Sequence, residues 1–189
     1  MSFDCLAGGF SDAPLQSAAA FRQVMQAMAR PGSIRRVSGA VPPAPLSLAA
    51  GVVLLVLADG TTPLHLAGAA DSPALRDWIA FHIGAPLVAA EEAAFAVGRW
   101  QDLQPVTRFR PGLPDYPDRS ATLIVECDVL TAHGACLTGP GIETAAWLNL
   151  PETAAFRANR ARFPLGFDTI LTAGDRLAAL PRSTRVEAI

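Results

Sequence analysis

Lysine is absent from this chain: all fifteen basic side chains among its 189 residues are arginine. Without a lysine amine, no aldimine to pyridoxal phosphate can form on a side chain, and a Walker-type phosphate loop has no lysine to work with. Cysteine is scarce and odd in number. Cys5, Cys127 and Cys136 show no CxxC spacing, which argues against a disulfide framework or a zinc knuckle. Cys127 and Cys136 fall in predicted strands, where an inert buried thiol is the expectation. His65, His82 and His133 are scattered without ligand spacing, so no metal site is expected. The longest apolar run, Leu48–Ala58, is too short to span a bilayer, and no basic patch followed by an apolar stretch opens the chain. The expectation is a cytoplasmic protein with no membrane partner. A net charge of −2 argues against general nucleic-acid binding.

What the chain does have is apolar surface. Apolar residues make up 51%, and mean hydropathy is +0.30. One domain over residues 1–189 is the natural reading, large enough to bury a core without staples. The near-neutral charge conceals segregation. Residues 22–36 hold four arginines and no acid, residues 37–104 two arginines against six acids, and residues 157–185 six arginines against two acids. Basic ends around an acidic middle fit an anionic ligand site or a complementary subunit interface, and equally an internal set of salt bridges.

Residues 14–29 read as a helix capped by Asp12, with Ala18, Phe21, Met25 and Met28 as its buried stripe opposite Gln16, Gln23 and Arg30. Pro31-Gly32 stops it, and 34–37 reads as a short strand. The 46–58 run reads as a buried helix and 64–66 as a strand. Ser72-Pro73 caps a helix through His82, with Leu75, Trp78, Ile79 and His82 on one face. Residues 93–97 read as a strand, 105–117 as an irregular surface loop, and 151–162 as a helix with Arg157, Asn159 and Arg160 outward. A strand follows at 168–172.

The most informative stretch is 120–142. Its apolar run 121–129 is β-branched, with Ile124 on one face and Leu123 and Val125 on the other, as in the middle of a sheet. His133-Gly134 reads as a turn returning 135–138 as a hairpin partner, which ends in the corner Gly139-Pro140-Gly141. Helices and strands alternate loosely, so the fold class is α/β, a single domain with a mixed central sheet flanked by helices.

Six segments in register, FRQVMQAMARPG, VLLVLADGTTPL, SATLIVECDVL, LTGPGI, FPLGFD and LPRST, resemble the PhnH subunits of the bacterial carbon–phosphorus lyase over nearly the whole chain. The resemblance implies a fold related to the large domain of pyridoxal-phosphate-dependent transferases, without that cofactor. It implies a homodimer built into a core complex with the subunits PhnG, PhnI and PhnJ. That system transfers a phosphonate to the ribose of ATP, displacing adenine and leaving ribose 1-phosphonate 5-triphosphate; a radical iron–sulfur subunit, PhnJ, later cleaves the carbon–phosphorus bond. It carries over no catalytic residue.

From the residues themselves, no triad, spaced carboxylate pair or metal cluster stands out. The candidates for ligand or interface contact are the corners Gly139-Pro140-Gly141 and Pro164-Leu165-Gly166, with Asp168, Arg182 and Thr184. Arg182 fits an oxyanion site with Thr184, or an internal salt bridge. Two functions stay open: a scaffold and partner-binding subunit of the phosphonate machinery, or a small enzyme holding nucleotide or phosphonate in an arginine-lined pocket.

Overall fold

A computed structural model describes residues 7–187; Cys5 lies outside them. Its centre is a six-stranded mixed sheet in the order β1-β10-β9-β6-β3-β2. These strands are β1 (Arg35–Arg36), β2 (Leu64–Leu66), β3 (Phe95–Arg99), β6 (Thr122–Glu126), β9 (Asp168–Ala173) and β10 (Arg176–Leu180). Strands β2, β3, β6 and β9 run parallel, while β10 and β1 close one side antiparallel. At the other edge Leu64 is bridged in parallel to Leu87: its N–H donates to Pro86 O at 2.9 Å and its carbonyl accepts from Val88 N at 2.9 Å.

Helices α1 (Ala13–Ala29), α2 (Leu48–Leu57) and α3 (Pro73–His82) cover one face of this sheet. Ile124, Val97, Ile170 and Leu177 meet Val52, Val53, Leu75, Trp78 and Ile79 there. The other face, from Leu123, Val125 and Leu171, packs on an antiparallel three-stranded sheet. That sheet has the order β11-β7-β8, from β7 (Ala135–Thr138), β8 (Ala146–Leu148) and β11 (Arg185–Glu187), and is joined by α4 (Ala154–Ala161). The central strand β6 is therefore buried on both faces, as its residue pattern implies.

Four expectations are corrected. The segments 121–129 and 135–138 do not form a hairpin. Strand β6 has β3 on one side and β9 on the other, so neither edge is open for β7, which pairs with β8 and β11 in the second sheet. The buried stripe of α1 is Ala20, Val24 and Ala27. These small side chains let the helix lie close on its neighbours, whereas Ala18, Phe21 and Met25 face outward and Met28 is half-buried. Asn159 is buried, not outward: its Nδ2 donates to Phe167 O at 2.8 Å and its Oδ1 accepts from Phe167 N at 2.9 Å. Finally, the 105–117 segment is ordered. Val106 and Phe109 enter the core, and β4 (Pro111–Leu113) pairs with β5 (Tyr116–Ser120) in a separate two-stranded ribbon.

Candidate functional site

The carboxyl ends of β3 and β6 open onto two neighbouring cavities that share Arg99, Glu126, Cys127 and Asp128. In open α/β sheets this is where ligands are taken, because the strands diverge there and loops build the walls. The larger cavity measures about 370 Å³ and is walled by Leu46, Ala69, Ala70, Gly98 and Asp102 besides the shared residues. The smaller, about 280 Å³, reaches Trp100, Asn149 and Pro151.

Glu126 is where the apolar run of β6 meets the crevice. In parallel register it stands beside Arg99 of β3 and Thr172 of β9. Its Oε1 accepts the Ser47 N–H at 2.7 Å. Ser47 in turn caps α2, its hydroxyl accepting from Ala50 N at 3.1 Å. A carboxylate thus sits at a helix N-terminus, held from a strand far away in sequence. Burial raises the Glu126 pKa above the usual carboxylate value, against the lowering effect of its hydrogen bond from Ser47. Arg99 does not pair with it; its Nη2 donates to Asp128 Oδ1 at 2.8 Å, in an exposed ion pair. Cys127 is pushed up to about 11, by burial first and then by Glu126 and Asp128, so its thiol stays protonated and inert at neutral pH.

The sequence-derived candidates lie at the other end of the strands. Asp168 opens β9, level with Thr122 at the start of β6. Its Oδ1 accepts the Arg182 N–H at 2.8 Å and the Arg182 Nε at 3.1 Å, and Oδ2 takes Nη2. Arg182 Nη1 donates to Pro117 O, which ties the β4–β5 ribbon down. This guanidinium is engaged within the chain as an internal salt bridge. Thr184 is buried, and its hydroxyl has no hydrogen-bond partner. Gly139, at φ 130°, lies against the Ser183–Thr184 turn: an added Cβ would stand 3.3 Å from Ser183 O. Gly141, at φ 81°, packs on the end of α1, where a Cβ would overlap Ala29 O. Gly166, at φ 124°, leaves the space that Asn159 Oδ1 occupies. Pro140 and Pro164 are exposed. The two corners are thus places where backbone meets backbone, and neither lines the crevice.

Glu126 was missed from the sequence, although an acid closing the apolar run Ala121–Val125 is a visible signal. Among the described residues no group of three or more His, Cys, Asp or Glu is placed to hold a metal. No helix of the described residues is long and apolar enough to cross a membrane.

The family of bacterial phosphonate metabolism proteins PhnH matches residues 8–187. The chain belongs to the PhnH family. Among its relatives is the alpha-D-ribose 1-methylphosphonate 5-triphosphate synthase subunit PhnH of Rhizobium meliloti (strain 1021). The two are 39% identical, over 95% of this chain and 94% of that protein. HtxG of Stutzerimonas stutzeri, named as a candidate C-P lyase subunit, is 32% identical over 92% of this chain and 87% of its own. The PhnH match spans both ends of the sheet, so the crevice and the Asp168–Arg182 pair both fall within the family's fold.

Proposed function

We propose that this chain is the PhnH-type subunit of a multi-subunit enzyme of phosphonate metabolism, a ribose 1-methylphosphonate 5-triphosphate synthase of the carbon–phosphorus lyase system. The observation that carries this reading is the end-to-end similarity to the Rhizobium meliloti subunit, with no large part of either chain left over. The enzyme it serves transfers the phosphonate to the ribose of ATP and releases adenine, with PhnG, PhnI and PhnJ as the other subunits of a cytoplasmic assembly.

Within that assembly the chain acts as a scaffold and partner-binding subunit, itself a homodimer. Two features support this. Arg182, the side chain best suited to an oxyanion, is occupied by Asp168. Leu15, Phe21 and Met25 form an apolar stripe on the outer side of α1, which suits a protein surface. The fold is read as a pyridoxal-phosphate-transferase type that works without the cofactor, since no lysine exists to hold it.

Two experiments test the reading. A bacterium whose own PhnH-type gene is deleted should regain growth on methylphosphonate as its only phosphorus source when given this chain. Purified with PhnG, PhnI and PhnJ, the chain should co-elute with them, and adenine release from ATP should require it. No rescue together with no co-elution would overturn the proposal.

A further inference from the structure

The crevice at the carboxyl ends of β3 and β6 has a chemical character of its own, set by three observations. Its polar groups are overwhelmingly acceptors: Asp102, Glu126 and Asp128 face a single cation, Arg99, and that cation is already drawn onto Asp128. Its remaining walls are small or apolar, from Pro45, Leu46, Ala69, Ala70, Gly98 and Gly174, and the volume of about 370 Å³ falls in the range of small-molecule sites. Glu126, fixed by the Ser47 N–H and without an ion-pair partner, lies where both cavities meet. A half-buried carboxylate outside any ion pair, in a cavity at the ligand-binding end of a parallel sheet, is a recognised mark of a functional site.

We propose that this crevice binds an uncharged, hydroxyl-bearing ring ligand of nucleoside or pentose size. The ring lies on Leu46, Ala69 and Ala70, and its hydroxyls donate to Glu126 and Asp102. Hydrogen bonds from a neutral hydroxyl to a carboxylate are charge-assisted and short, and shielding from water strengthens them. The same acids repel phosphate and phosphonate groups, which leaves the anionic part of a larger ligand outside the crevice. The choice of a ribose compound rests on the phosphonate-metabolism reading above; the preference for neutral donors over anions does not.

Calorimetry of the full chain with adenosine, ATP and methylphosphonate as separate probes tests this. Adenosine should bind, ATP should bind no more tightly than adenosine at low salt, and methylphosphonate alone should give no heat of binding. Glu126→Gln keeps an acceptor for Ser47 but loses the charge, and should weaken adenosine at least tenfold. Ala69→Phe fills the crevice from an exposed position and should abolish binding while the thermal midpoint stays unchanged. No binding of adenosine, adenosine binding unmoved by both variants, or methylphosphonate or ATP binding more tightly than adenosine would each overturn the assignment. Co-elution with the partner subunits is read on the same samples. A chain that assembles but fails these tests refutes the crevice ligand and leaves the subunit role standing.

Discussion

The amino ends and the carboxyl ends of β6 and β9 carry charged side chains in opposite circumstances. At the amino ends, Asp168 and Arg182 are both largely buried and satisfy one another through a forked contact, with Pro117 O taking the remaining Nη1. At the carboxyl ends, Glu126 is half-buried and outside any ion pair, held by the Ser47 N–H, while the cation next to it is exposed and committed elsewhere. A buried charge whose partners come from its own fold serves stability and geometry. One left short of partners makes the folded chain less stable, and such a cost is retained where a ligand completes the set. The comparison separates an end of the sheet whose charges are satisfied within the fold from an end whose carboxylate is not.

The sharpest way to break it is at the closed end. Arg182→Ala strands Asp168 in a largely buried place and should cost about 3 kcal/mol, read from denaturant midpoints. Adding Asp168→Asn to Arg182→Ala removes both charges and should recover at least half of that loss. If the double variant were no better than the single one, the pair would not be a self-contained unit. Gly141→Ala comes next. It places a Cβ on Ala29 O at a left-handed φ and should cost about 2 kcal/mol, with Gly139→Ala costing about 1 kcal/mol because its nearest neighbour is farther away.

Glu126→Gln probes the open end, and its effect should be smaller and dependent on pH. The folded pKa of Glu126 lies above its unfolded value, so the folded chain holds the proton more tightly. Its contribution is therefore most favourable below the unfolded value of 4.5 and declines as pH rises through the folded value. The glutamine variant should be at least as stable as wild type at pH 7, with the difference closing toward pH 4 in a series of urea melts. A variant uniformly less stable across that range would mean that Glu126 is a structural cap and nothing more. The smallest effect belongs to Arg99→Ala: its ion pair with Asp128 is exposed, and the denaturation midpoint should not move measurably.

Much of the fold could be read from local pattern. The apolar run over α2 fitted a helix or a strand, and its length favoured the buried helix that is found; β6 declared two buried faces by the alternation of Leu123, Ile124 and Val125. Pairing partners were another matter. Nothing near 121–138 says that β3 and β9, both distant in sequence, take the two edges of β6, so proximity suggested a hairpin that does not exist. On α1, size misled: the larger Phe21 and Met25 looked like the core, but alanine is what allows a close helix approach. Asn159 looked like a surface amide until Phe167 supplied both its partners. The crevice was not legible because its walls come from Leu46, Ala70, Arg99, Glu126 and Gly174, which only the folded sheet brings together.

The margins of the large sheet bear on how this subunit meets its neighbours. On one side β1 is two residues long. On the other, Leu64 has already given its main-chain N–H and carbonyl to the 86–88 segment, and the His65 ring reaches Val88 O at 3.0 Å. A second polypeptide adding itself in line would find few main-chain groups to join. These margins disfavour growth of the large sheet across a subunit boundary. Recognition through side-chain surfaces suits such margins better than strand addition does.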